Sequence, residues 1–290
     1  MFFIQIWQKT VNFARFMRLY PALLLCLFIA LSSCNKFSKI AKSKDAAYKL
    51  KMADEYYAKK SFRNAQLLYE ELFTQYKGSA QFEDIYYKYA YSFYYLKSYR
   101  DAENMFKGYL EVFPTSSRAE EVDYMRAYSF YKQSPKIELD QANTMKAMMM
   151  MQTFINTHPG SPRNKEASEI IDKARLKLET KEARRAKLFY DLGHFRAAGL
   201  AYTELMNAYP ESMKGEEYKL QVIKSFYKFA QLSIESKRLE RFEKVITEID
   251  DFTDRFPDGK LLKEAESYRN LSLNHIKSLK NEQTSSSAKL

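Results

Sequence analysis

A chain of 290 residues can bury a sizeable core, and 7 glycines, 7 prolines and 16% aromatics point to long helices rather than a turn-rich sheet. The formal net charge of +11 admits nucleic acid, anionic lipid or acidic protein as a partner, but no nucleic-acid motif and no uniformly basic helix supports the first.

The chain opens on a basic segment carrying Lys9, Arg15 and Arg18, followed by an apolar run from Leu19 to Leu31. A membrane-spanning helix needs roughly 20 apolar residues, so the shorter run reads as the core of a signal peptide over 1–33. It ends in Leu31-Ser32-Ser33-Cys34, which resembles the bacterial lipobox. Cleavage before Cys34 then leaves a lipidated N-terminus on that thiol. Cys26 leaves with the signal, so no thiol remains for a disulfide or for catalysis. Residues 34–44 read as the lipidated cysteine and a polar, basic tether, and Lys36, Lys39, Lys42 and Lys44 stand where a surface-export signal has acids. The periplasmic face is therefore expected.

From residue 45 the chain falls into helix hairpins, expected at about 45–78, 82–116, 120–160, 183–212 and 216–258. The second sets the pattern. Small Ala90 is followed by Phe93, small Ala102 by Phe106 and Tyr109, and Pro114 closes the unit. Small residues belong where two helices approach closely; aromatics fill the space between them. The turn Ser98-Tyr99-Arg100-Asp101-Ala102 has near copies at Ser61–Ala65 and His194–Ala198. The first hairpin carries Ala53, Tyr56, Ala65, Tyr69 and Leu72. The capping box expected at Ser117–Glu120 starts the third. That hairpin and the fifth hold extra residues, expected as enlarged turns around Gln133–Lys136 and Glu235–Arg238. Met148 to Met151 run consecutively and so wrap a helix, which buries at least two of them. A helix starting at Ser161-Pro162 is long and basic, and continues into the fourth hairpin. A capping helix at 260–279 and a disordered tail at 280–290 end the chain. The hairpins resemble the tetratricopeptide repeat, a unit of about 34 residues, which implies an all-α, right-handed α-solenoid of about five hairpins.

No active site is legible. His158, His194 and His275 share no metal-ligand spacing, and Asp250, Asp251 and Asp254 lack a ligand loop. No metal, no catalytic residue and no cofactor besides the covalent lipid on Cys34 is expected, and an enzyme is not. In the repeat the first helices line a groove. Its expected lining is Asp54 and Tyr57 in the first hairpin, Asp84, Tyr87, Tyr91, Tyr94 and Tyr95 in the second, and Tyr124, Tyr128 and Tyr131 in the third. Tyrosines give large apolar contact and hydroxyls for backbone groups, which suits an extended, aromatic-containing peptide; about half of them are expected to be exposed.

The lipobox, short tether, five repeats and enlarged third and fifth hairpins together resemble the BamD family of outer-membrane β-barrel assembly lipoproteins. The resemblance implies a periplasmic scaffold anchored in the inner leaflet of the outer membrane. It also implies partners: unfolded outer-membrane proteins, a BamA-like barrel insertase and other assembly subunits, and no nucleic acid. The alternative is another envelope lipoprotein with these repeats, scaffolding wall synthesis, division or secretion.

Overall fold

The computed structural model describes residues 36–287, with side chains to 282. The signal sequence and Cys34 lie outside the described residues. Twelve helices and no strand occur among the described residues. They are α1 (36–41), α2 (Ala46–Ala58), α3 (Phe62–Gln75), α4 (Phe82–Tyr95), α5 (Tyr99–Val112), α6 (Ala119–Lys132), α7 (Ala142–Thr157), α8 (Asn164–Asp191), α9 (Phe195–Ala208), α10 (Gly215–Gln231), α11 (Glu235–Arg255) and α12 (Leu262–Ser287). Pro114, Pro135, Pro159, Pro162, Pro210 and Pro257 all fall between helices, where a missing N–H costs nothing. The chain is all-α, built of tetratricopeptide-like helix hairpins, and divides into two compact units. One takes the chain to Ser134 with Met149–Ala167, the other Pro135–Met148 with everything from Ser168.

In the first unit consecutive helices from α2 to α6 pack on one another. Ala53 and Ala65, then Ala90 and Ala102, have no exposed surface, as close helix approach demands. Leu68, Tyr69, Leu72 and Ile85 fill the first core. Each such side chain gains about 1.5–3 kcal/mol on full burial. The polar tether is a correction: 36–41 is a helix whose Ile40 is buried in this core, and Phe37 meets Tyr56 edge-on at 5.9 Å. Its apolar residues at i, i+3 and i+4 give it a face to dock.

In the second unit α9 to α12 pack in sequence around Ala186, Tyr202, Ile223, Phe226, Val245, Ile249 and Phe252. Ser225 replaces the small alanine of other repeats and ties its hydroxyl to the Gln221 carbonyl at 2.6 Å. The fifth hairpin has no enlarged turn. Only Leu232 to Ile234 separate α10 from α11, and the extra residues lengthen those helices to 17 and 21 residues, against 14 in α9. The third hairpin does have the long loop, 133–141. Lys177 and Lys181 of α8 donate to its Pro135 and Leu139 carbonyls, and Arg184 meets Glu138 at 2.7 Å. Helix α12 runs to Ser287, through most of the stretch expected as a disordered tail.

The turn inside three hairpins has one geometry. Lys60, Lys97 and Gly193 take left-handed φ of 59°, 63° and 79°. The next N–H then reaches back to the preceding helix: Ser61 to Tyr56 at 2.8 Å, Ser98 to Phe93 at 3.0 Å, His194 to Phe189 at 2.9 Å. That is the Schellman helix ending.

Candidate functional site

The turn between hairpins carries a recurring Pro-x-Ser-x-Arg/Lys: Pro114-Thr-Ser116-Ser-Arg118, Pro159-Gly-Ser161-Pro-Arg163 and Pro210-Glu-Ser212-Met-Lys214. Each serine hydroxyl accepts from the N–H two residues on, at 3.0, 3.2 and 3.1 Å. Each also donates to a glutamate of an earlier helix: Ser116 to Glu83, Ser161 to Glu120 and Ser212 to Glu179. Ser116, not Ser117, is therefore the serine that organises the start of α6. No capping box forms there, because Arg118 occupies the cap position.

This turn aims a guanidinium back over the strip of tyrosines in the first unit. Arg118 lies over the Tyr87 ring at 4.5 Å and pairs with Asp84 at 3.0 Å. One repeat on, Arg163 lies over Tyr124 at 4.8 Å and reaches Glu121 at 3.8 Å. Asp84 and Glu121 are the third residues of α4 and α6, and Tyr87 and Tyr124 the sixth, so one device is built twice. Lys88 extends the charge line, meeting Asp84 at 2.6 Å and Asp54 at 2.9 Å; Asp54 also accepts from Tyr69 at 2.7 Å. Burial alone pushes the Asp84 carboxyl up, but Lys88 and Arg118 outweigh it and hold it below its ordinary value.

The tyrosine rings form one connected strip. Tyr57 meets Tyr95 at 6.3 Å, Tyr95 meets Tyr91 at 5.8 Å, and Tyr91 meets both Tyr87 at 4.6 Å and Tyr94 at 6.3 Å. Tyr94 meets Tyr128 at 6.3 Å, and Tyr128 meets Tyr124 and Tyr131 at 5.7 Å each. Their exposure is unequal. Tyr91 and Tyr124 keep only 5% and 2% of their surface, whereas Tyr95 keeps 46%; Tyr57, Tyr87, Tyr94, Tyr128 and Tyr131 are half-buried, as are Asp54 and Asp84. Tyr91 and Tyr124 are therefore inter-helix packing: the Tyr91 ring stands edge-on to Phe106 at 5.2 Å, and the Tyr124 ring to Phe154 at 5.4 Å. Burial raises the hydroxyls of Tyr57, Tyr87, Tyr91, Tyr94 and Tyr124, that of Tyr94 to about 12, so these remain protonated donors.

Phe62, Lys88, Arg118, Glu121 and Arg163 belong to the site without having been expected there. Phe62 stacks on Tyr95 at 4.3 Å. Lys88 was legible as the i+4 partner of Asp84; the arginines were legible only through the turn motif.

The other candidate features are structural. Asp250 pairs with Arg269 at 2.6 Å and Asp251 with Arg255 at 2.9 Å. His158 meets Asp123 at 3.2 Å, and His275 stacks on Phe242 at 4.6 Å. Met151 is buried, Met148 and Met150 are half-buried, and Met145 and Met149 are exposed. Among the described residues no three His, Cys, Asp or Glu side chains are placed to hold a metal, and no helix is long and apolar enough to cross a membrane.

A family model described as "YfiO: Outer membrane lipoprotein" matches residues 41–228, which covers the strip and most of the hairpins. The chain belongs to this outer membrane lipoprotein family. Such chains are typically scaffolds that bind other proteins. No curated protein matches the chain. A solved structure of the yeast Sti1 TPR2AB domain in complex with pHSP90 is similar at 13% identity and a TM-score of 0.37, covering 78% of this chain and 98% of that one.

Proposed function

We propose that this family member is a scaffold anchored by a lipid on Cys34 at the periplasmic face of the outer membrane, working in β-barrel protein assembly. The observation that supports the reading best is the connected tyrosine strip in an outer membrane lipoprotein. An unfolded barrel protein presents a C-terminal strand with alternating aromatics and unpaired backbone groups. Tyr95, Tyr57, Tyr94 and Tyr128 offer ring surface to the former; protonated hydroxyls and the Asp54–Lys88–Asp84 line offer partners to the latter. A BamA-like insertase and its assembly subunits are the proposed protein partners, and no cofactor beyond the lipid is invoked.

The test is a fluorescent C-terminal barrel peptide titrated against the chain from Asn35. Tyr95→Ala with Tyr128→Ala removes two ring contacts and weakens binding at least about tenfold, with helicity unchanged. Unchanged affinity overturns the strip as the peptide site. Co-purification of a wall enzyme in place of a barrel insertase from solubilised envelope overturns the assembly role.

A further inference from the structure

The second unit carries an amphiphilic edge that the strip does not use. Its hairpin tips expose three large aliphatic side chains: Leu192 at 62%, Leu232 at 73% and Ile234 at 70%. The equivalent turns of the first unit carry exposed Lys59 and Lys60 in one hairpin and half-buried Leu96 with exposed Lys97 in the other, so none of them exposes a large aliphatic. The helices that carry the Leu232–Ile234 tip are longer, at 17 and 21 residues, than the 14 of α9.

Behind the tips is a cavity of about 550 Å³, lined by Arg196, Phe226, Phe229, Lys237, Arg241 and Lys244 together with Glu240, Glu243 and Thr247. Its lining residues bring the start of α9 beside the α10–α11 tip. Gly199 makes this possible: a side chain there meets the Phe226 ring at 3.0 Å. Arg241 lies over the Phe229 ring at 4.0 Å, and Lys237 pairs with Glu240 at 2.8 Å. Arg196 in the lining and exposed Lys228 in the last turn of α10 have no side-chain partner among the described residues. The edge thus pairs protruding aliphatics with surplus cations.

We infer that this edge docks on an anionic phospholipid surface, with Leu192, Leu232 and Ile234 entering the headgroup layer and Arg196, Lys228 and the cavity's cations meeting lipid phosphates. Aliphatics flanked by cations match the two layers of such a surface, apolar within and anionic at its face. A membrane is at hand for an outer membrane lipoprotein. The inference rests on the lipid-anchored reading and adds a second contact, which fixes how this unit lies against the bilayer.

The test uses the full, lipidated chain in vesicles of phosphatidylethanolamine with phosphatidylglycerol, carrying an environment-sensitive fluorophore at Leu232→Cys. A second sample carries it at Met213→Cys, a fully exposed residue in the turn between α9 and α10, at the other end of those helices. Emission at 232 rises at least about threefold on anionic vesicles and not on phosphatidylcholine alone; emission at 213 does not rise. Arg196→Glu with Lys228→Glu lowers the rise at least about fivefold while the protein still floats with the vesicles. A floating protein with an unresponsive 232 label overturns the docking edge, as does an equal response on phosphatidylcholine. A label shielded only in solubilised envelope overturns it in favour of a protein interface. Failure to float at all speaks against the lipid anchor instead.

Discussion

The Tyr91 hydroxyl donates to a Glu121 carboxylate oxygen at 2.7 Å, from α4 of one hairpin to α6 of the next. Burial first, then Glu121, keeps that hydroxyl protonated. The pair belongs to the joint between two repeats rather than to an open surface. Tyr91→Phe keeps the ring contacts and loses one charge-assisted bond, so urea melts should show a loss of about 2 kcal/mol with peptide affinity unchanged. Tyr95→Ala should do the reverse, weakening the peptide with little change in the melt. Matching effects from both changes would show that the strip cannot be divided into packing and binding members.

Overpacking probes the hairpin register. Ala90 and Ala102 are fully buried where α4 and α5 cross. Leucine at either position adds volume that close helices cannot admit, and should cost about 1–3 kcal/mol in a urea melt. No loss at either site would mean that the helices cross elsewhere.

Hairpins were legible because close crossing needs small residues, and these recur with aromatics at fixed offsets along the sequence. Extra residues were not legible in the same way. A longer interval between small positions reads alike whether a loop grows, as at 133–141, or two helices lengthen, as in α10 and α11; Pro135 marks the first case and nothing marks the second. The site was legible in its residue types and not in their exposure. Periodicity puts Tyr91, Tyr95, Tyr124 and Tyr128 on first helices. Whether each ring faces solvent or Phe106 and Phe154 depends on neighbours that no local pattern names.

Lys97 adopts a left-handed φ of 63° that costs a side-chain-bearing residue about 1–2 kcal/mol, whereas Gly193 meets the same turn without that cost. Lys97→Gly should therefore raise stability by about 1 kcal/mol after the added chain entropy of the unfolded state. A thermal melt checks it; a loss would mean that the Lys97 side chain contributes more than the turn strain.

Lys219 tests how charge holds the second unit together. It is buried on α10, bonded to Glu248 and 2.5 Å from Asp251 on α11; Lys244 meets Glu248 at 2.6 Å. Burial alone raises both carboxyls, but Lys219, with Lys244 on one and Arg255 on the other, outweighs it and holds both below their ordinary values. Folded values below unfolded ones mean that this stabilisation is complete above about pH 5 and fades as pH falls through the folded values. Lys219→Met leaves Glu248 buried with only Lys244, while solvent screens Asp251, so the cost at pH 7 should be about 3 kcal/mol. Without Lys219, burial raises the Glu248 carboxyl, and its protonation at acid pH relieves the variant. The urea-midpoint gap between the two proteins should therefore narrow from pH 7 to pH 4. A gap of equal size at both values would assign the loss to packing of the lysine stem rather than to its charge.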